Sequence, residues 1–489
     1  MTVPEASDAL DQTIKTPKKP LILSVATKLT SINWRDPTDR SRELSRDINE
    51  IINFAQLAEQ AKIHNIFFVD HLSWFDVYGD SHATAARTGF NATRIDPLTT
   101  ISALASHTKN IGFISTLSTV SEHPYHFARR VASADLLSGG RIGWNVVSSY
   151  IPSIGKNLLN GEPFPEHDER YAKTTEFLDV LYALLLSSWR DDAVVYDKEA
   201  GIFANPDALR EINHEGKFFK VKGPGITEPT PQRFPLITQA GTSKRGVEFA
   251  AENAELIYIG FDFLPKIPDI RKLAHEKFGR DPSSLKFFTR IVPVIGETHE
   301  EAVAKFEVYK KSVDPESNLV SLGGVTGFDL SGYDWDDQVE FPDHTNGIQS
   351  SLEGLKKRKL APTKKELADK QLESAKYVGT AQEIADQLEQ IATDYDIDGF
   401  NFAINNYPES LEDIVHYLVP ELQRRGLAQT EYAAPDGTLR ENFNNKPGQS
   451  FLSGDHPAYS LRWRSGVSKE QFEQELEIFK KLRDERRKA

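Results

Sequence analysis

The sequence predicts an α/β fold, a single (β/α)8 (TIM) barrel with long insertions, and three observations carry that prediction. Eight short apolar runs recur along the 489 residues. Segments with helical spacing separate most of them, and the runs stop on polar side chains. Apolar runs without strict alternation suit parallel strands buried on both faces, and strand-helix alternation is the signature of α/β architecture. A doubly wound open sheet is the alternative with the same alternation.

The runs, in order, are "LILSVA" (Leu21 to Ala26), "IFFVD" (Ile66 to Asp70), "IGFIST" (Ile111 to Thr116) and "RIGWNVV" (Arg141 to Val147). They continue with "PLITQA" (Pro235 to Ala240), "LIYIG" (Leu256 to Gly260), "FFTRIVPVIG" (Phe287 to Gly296) and "GFNFAI" (Gly399 to Ile404). Between them, Ile48, Ile51, Ile52 and Leu57 make one helical stripe. Tyr171, Phe177, Leu178, Leu181, Leu184 and Leu185 make another. Thr298 and Glu301 have capping-box spacing after the seventh run.

The predicted organisation is a flexible N-terminal arm over 1–20, a barrel over 21–426, and a C-terminal arm and charged helix over 427–489. Insertions fall near 150–230 and 313–365. The first holds much of the roughly ninety residues between the fourth and fifth runs, and its polar segment 198–225 is expected to pass over the barrel mouth. The second is rich in Gly, Asp and Ser without clear periodicity, the pattern of a lid or loop.

Composition narrows the function. A net charge of −14 speaks against nucleic-acid and anionic-membrane partners, because phosphate-rich surfaces repel an acidic one. No run approaches the ~18 apolar residues of a membrane span, and the N-terminus has no signal-peptide core, so a cytoplasmic protein is expected. There is no Cys, and Met1 is the sole Met, where ordinary usage would give on the order of fifteen sulfur-containing side chains. Thiolate metal sites and disulfides are excluded. Lineage bias, selection against oxidisable sulfur, and economy during sulfur starvation would each produce this composition.

In a parallel barrel the site forms where strands end. Asp70 and His71 close the second run, Thr116 and Ser118 the third, and Asn145, Ser148 and Ser149 the fourth. Gln239 ends the fifth, and Asn401 and Asn405 belong to the eighth. Hydroxyls and amides with few charges suit a neutral heteroaromatic ligand. Gly241, Thr242, Ser243 and Gly246 open a helix after the fifth run, aiming backbone N–H groups at an anion, with Lys244 and Arg245 adding charge; an ordinary Ser N-cap has the same pattern. The spacing is neither a Walker loop nor a dinucleotide fingerprint. His167 and Tyr171 stand four apart at the start of a helix, where both face one ligand. His167, Asp168 and Glu169 lack metal-site spacing, as do His123 and His126, and no metal is assigned.

These residues belong to stretches that resemble the bacterial-luciferase-like superfamily, in its nitrilotriacetate, pristinamycin and dibenzothiophene-sulfone monooxygenase branch. They include "NWRDP", "FFVDHL", "TLSTVSEHPYHFARRVASADLLSGGRIGWNVVSS", "PEHDERYAKTTEFLDVLYALL", "ITQAGTSKRGVEFAAENAE" and "DGFNFAINNYPESLEDIVHYLVPELQRRGL". The resemblance runs from Leu21 to about Pro457. It implies a luciferase-like barrel that takes reduced FMN from a separate NAD(P)H-dependent flavin reductase and uses O2 to oxygenate a small molecule. It further implies a homodimer or homotetramer, and flavin contacts from Asp70, Thr116, Asn145, His167, Tyr171 and Ser243, with Gly241 and Thr242 beside the phosphate. No catalytic acid or base is assigned; His167, Tyr171 and Asn145 are the candidates.

Departures from the family pattern fall at "TKLTSINWR", at Asn157, Leu158 and Leu159, and at Ser148, and they concern the substrate side. With the sulfur-poor composition, the expected substrate is a sulfone or sulfonate cleaved at carbon–sulfur for sulfur assimilation. An aminopolycarboxylate oxygenase, a non-catalytic flavin-binding relative and a metal-dependent barrel hydrolase are the alternatives.

Overall fold

The structure is a computed structural model that describes residues 20–30, 33–241, 243–356, 361–370 and 377–488. The expected N-terminal arm, apart from residue 20, lies outside the described residues, and so does Thr242.

Eight parallel strands close into a barrel in which each pairs with its sequence neighbours. They are β1 (Ile22–Thr27), β2 (Asn65–Phe68), β3 (Gly112–Ser118), β4 (Ile142–Val147), β5 (Leu236–Gln239), β6 (Leu256–Tyr258), β7 (Lys286–Ile291) and β8 (Gly399–Ala403). All eight apolar runs supply a strand. The seventh splits: Pro293–Ile295 leaves the barrel and pairs with Tyr377–Gly379 in a separate two-stranded sheet. Pro293 has no N–H to donate, which suits the start of a new edge rather than the middle of a barrel ladder.

The helices that position the site are α1 (Ile48–Gln60), α2 (Pro124–Leu137), α3 (His167–Tyr182), α4 (Lys244–Asn253), α5 (Pro315–Thr326), α6 (Leu439–Asn444) and α7 (Lys469–Lys488). In α1 the buried face is Ile51, Ile52, Phe54, Ala55 and Ala58, whereas Ile48 is exposed, so the stripe begins one turn later than its first Ile. Thr298 caps the helix that starts at His299 by accepting from the Glu301 N–H, while the Glu301 carboxylate reaches the N–H of Glu297. Only half of the reciprocal box therefore forms.

The C-terminal segment closes the bottom of the barrel. Leu439 and Phe443 of α6 pack with Ile22, Ile114, Leu236, Leu256 and Phe288, the lowest inward layer of the strands. A Cβ on Gly112 would stand 2.3 Å from Leu439 Cδ1, so β3 needs glycine where the plug enters. Burying Leu439 contributes about 1.5–3 kcal/mol. Beside it, Arg440 Nε donates to Glu255 at 2.7 Å, and Arg440 also donates to the carbonyls of Phe234 and Ser450. Every charge in that buried pair is matched, as burial requires. Farther out, Arg483 and Arg487 of α7 bridge Asp179 of α3 and Glu252 of α4, tying neighbouring barrel helices together.

The two insertions behave differently. Segment 198–225 packs along the flank of α3: Glu176 accepts from the N–H groups of Phe218 and Phe219, and Lys173 sits over the Phe219 ring. None of its residues reaches the cavity at the mouth. The 313–365 insertion is not irregular. Asp314 caps α5, whose Leu319 and Val320 pack with Phe75, Tyr78, Ile151 and Leu330 in a satellite core. Helix α5 escapes periodicity because apolar and small residues surround its axis, so no single stripe stands out. Among the described residues, no helix is long and apolar enough to cross a membrane.

Candidate active site

Above the C-terminal strand ends lies a cavity of about 430 Å³, within the range of small-molecule sites. Asp70, Thr116, Asn145, His167, Tyr171, Gly241 and Ser243 all line it, together with His71, Ser118, Ser148, Ser149 and Gln239. Asn401 and Asn405 do not.

One wall is a single layer of three strands. Thr116 of β3, Asn145 of β4 and Thr238 of β5 stand in register. Asn145 Nδ2 donates to Thr116 Oγ1 at 3.0 Å, and the Thr238 hydroxyl lies 3.5 Å from Asn145 Oδ1. Period-two alternation turns all three inward while Trp144 and Val146 anchor the other face of β4. Just beyond β4, Ser149 adopts a left-handed backbone (φ 58°), and its hydroxyl meets that of Ser118 at 2.8 Å. A non-glycine residue there is uncommon and costs backbone energy. Ser148 to Ile151, around that turn, line the cavity before the next helix starts at Ser153.

Helix α3 supplies the second wall through an i, i+3, i+4, i+7 row: His167, Arg170, Tyr171 and Thr174. The His167 and Tyr171 rings are 4.9 Å apart, and His167 Nδ1 pairs with Asp168 Oδ1 at 3.0 Å. Burial raises the pKa of the Tyr171 hydroxyl, so it stays a neutral donor. Arg170 is fully enclosed; it donates to Pro165 O and to Asn346 Oδ1 and O, and stacks on Phe164. It thereby fastens Gly347 and Ile348, the insertion's contribution to the cavity lining.

The third wall is the start of α4. Ser243 caps the helix by accepting from the Gly246 N–H at 3.1 Å. The ordinary cap and an anion site are compatible, because a helix start leaves further N–H groups without intrahelical acceptors. A Cβ on Gly241 would lie 2.3 Å from Gln239 Nε2 and 2.9 Å from the Tyr171 hydroxyl, so glycine keeps this corner open. Among the described residues, the buried Gln239 Oε1 has no hydrogen-bond partner. It stands ready to accept from a ligand.

The fourth wall is electrostatic. Burial raises Asp70 to about 6, against the opposing pull of Arg94 3.8 Å away. Burial also holds His71 neutral, well below its usual range, and keeps Tyr150 protonated by raising it. Arg94 donates to Val69 O at 2.7 Å and to Asn91 Oδ1.

Several residues of the site and its support escaped the sequence reading, Arg170, Tyr150, Ile348 and Arg94 among them. Arg170 shares the helical face of His167 and Tyr171, a signal present in the spacing "HDERY". Tyr150 and Ile348 come from loops whose convergence on the cavity leaves no mark in the sequence, and Arg94 from a loop that reaches Asp70.

A cavity with convergent hydroxyls and amides at the mouth of a parallel barrel defines a small-molecule enzyme of the TIM-barrel class. Residues 29–395 match the family model described as luciferase-like monooxygenase. The chain belongs to that family. It is 40% identical over 436 residues to a long-chain alkane monooxygenase of Geobacillus thermodenitrificans, covering 88% of this chain and 94% of the relative. It is 36% identical to a dimethyl-sulfide monooxygenase of Hyphomicrobium sulfonivorans, covering 88% and 90%. A solved riboflavin lyase, bound to modified FMN and riboflavin, superposes with a TM-score of 0.82 at 33% identity, covering 91% of this chain and 100% of that one.

Proposed function

We propose that this chain is the oxygenase component of a two-component system, using reduced FMN from a separate flavin reductase and O2 to cleave a carbon–sulfur bond of a sulfone or sulfonate. Bound reduced FMN would supply the electrons and the reaction with O2. The chain's own residues bind, orient and exclude water. Asn145 and Thr116 would fix the ring edge, with Asp70 beside them, and His167 and Tyr171 would cover it. Gly241, Thr242 and Ser243 would receive the phosphate at the start of α4.

The observation that carries this reading is the coincidence in one cavity of a hydrogen-bonding layer across three strands and a capped helix start. A planar ring with a phosphate tail has that pair of needs. The sulfur side rests on the dimethyl-sulfide relative and on a chain with no Cys and one Met. For an alkanesulfonate the balance is simple: one atom of O2 enters an aldehyde, the other leaves as water, and carbon–sulfur cleavage releases hydrogen sulfite.

The test is an aerobic assay with an NAD(P)H:FMN reductase, across sulfones, alkanesulfonates and aminopolycarboxylates, scoring sulfite and aldehyde. Sulfite that needs both reduced FMN and O2 supports the reading. Amine release from aminopolycarboxylates with no sulfite from any sulfur compound would replace it with carbon–nitrogen cleavage.

A further inference from the structure

The barrel interior carries cations that the flavin reading does not use. Arg290 of β7 alternates with Phe288, whose ring belongs to the inward bottom layer, so Arg290 also points inward. Arg290 is nevertheless exposed to solvent, so a ligand can reach it. Among the described residues it has no hydrogen-bond or ion-pair partner. Lys28, just after β1, follows the inward Ala26 by two residues; among the described residues its ammonium has no hydrogen-bond or ion-pair partner and lies over the face of Phe90, 5.8 Å from its centroid.

These two walls meet at β8. Asn401 stands in register with both Arg290 and Ser24 of β1. Among the described residues the buried Asn405 Nδ2, one alternation beyond Ala403, lacks a hydrogen-bond partner and is free to donate to an anion, whereas the unpartnered Asn401 Oδ1 can only accept, from a hydroxyl or N–H of the same ligand. Arg94 adds a third cation beside Lys28; its nearby carboxylate is Asp70, 3.8 Å away, with Asp96 acting on Asp70 from further off. Desolvation, then repulsion from Arg290 and Arg94, depresses Lys28 to about 7. Desolvation disfavours both ammonium and guanidinium here although solvent still reaches Arg290, and an anionic ligand offsets that cost.

We propose that Lys28 and Arg290, with Asn401 and Asn405 between them, form a subsite for a carboxylate or sulfonate group of the organic substrate. It lies across the barrel from the start of α4, where the flavin phosphate is assigned. The inference rests on the monooxygenase reading and sharpens it, selecting an anionic substrate over a neutral sulfone.

The test is calorimetric titration of the full-length protein at pH 6.5 with hexane-1-sulfonate, butyl methyl sulfone and inorganic sulfate, and separately with FMN. Hexane-1-sulfonate should bind at least tenfold tighter than either of the other two. Arg290→Gln and Lys28→Gln should each weaken it about tenfold, Arg290→Lys should retain most of the affinity, and FMN binding should stay within twofold in all three. Equal binding of the sulfone overturns the proposal, and so does indifference to both Gln variants. Sulfate binding as tight as hexane-1-sulfonate would make this an inorganic-anion site, and loss of sulfonate binding in Ser243→Ala would place the anion at α4; both overturn it. If a Gln variant fails to fold, the wild-type ligand series still decides. Failure of FMN to bind would remove the flavin reading while leaving the anion site standing.

Discussion

Asn145 Nδ2 donates to Thr116 Oγ1 at 3.0 Å across the β3–β4 ladder, one layer below the cavity rim. The bond spends an amide N–H and leaves Asn145 Oδ1 as an acceptor, with only the 3.5 Å Thr238 hydroxyl nearby. A ligand N–H is its natural complement. Asn145→Ala should therefore lower FMN affinity about tenfold, the value of one buried hydrogen bond with its orphaned partner. The unfolding midpoint should change little, because Trp144 and Val146 on the other face still anchor β4. Equilibrium FMN titration beside a denaturant melt reads both; unchanged FMN binding would remove Asn145 from the site.

Arg170 holds the insertion against α3 through Asn346. Arg170→Met keeps much of the side-chain bulk but breaks those bonds, so it should destabilise the chain by about 2–4 kcal/mol. Amide exchange around 346–348 should accelerate more than exchange in β1 through β4. Uniform acceleration would show that Arg170 supports the whole barrel and not this wall.

Leu439 plugs the barrel from below, far from the proposed ring site. Leu439→Ala should cost about 2–5 kcal/mol through the cavity it leaves. FMN affinity in native buffer should be preserved. Loss of FMN binding in a folded variant would mean that the bottom layer sets the geometry of the mouth.

The pH response follows from Lys28 and Asp70. Lys28 is faced by Arg290 from β7, Arg94 from the loop after β2 and His71 at the end of β2, with Asp70 held on Arg94. Its folded pKa, about 7, lies below the free value of 10.5, so between those values the unfolded chain binds the extra proton and stability rises with pH. Asp70 works in the opposite direction. Its pKa rises from 3.8 to about 6, so its contribution is fully present below 3.8 and is lost as pH climbs through 6. An anion on Lys28 needs the ammonium form, so hexane-1-sulfonate affinity should fall as pH rises above 7, with proton uptake on binding. Calorimetry in two buffers of different ionisation enthalpy measures that uptake; none at pH 8 would contradict it.

The barrel was legible because its eight strands are apolar runs with breaks between them, a signal local to each segment. Asp70, Thr116, Asn145 and Gln239 were legible because each sits where its run stops. Lys28 and Arg290 were not, because nothing local says that β1 and β7 bring two cations together without a counter-charge. Helix α5 was hidden by its evenly apolar surface, and α6 by a plug role that depends on Gly112 in a distant strand. Pairing of Pro293–Ile295 with Tyr377–Gly379 was invisible for the same reason: it joins segments separated by the whole second insertion.

The cavity between β4 and the start of α4 is the proposed seat of reduced FMN. Anaerobic titration of reduced FMN into wild-type protein and Gly241→Val tests it most directly, because the valine fills the corner beside Gln239 and Tyr171 without touching the barrel core. Saturable one-to-one binding in wild type, weakened at least tenfold in a Gly241→Val protein of unchanged circular dichroism, is the predicted result. Equal affinity in the two proteins would contradict the account.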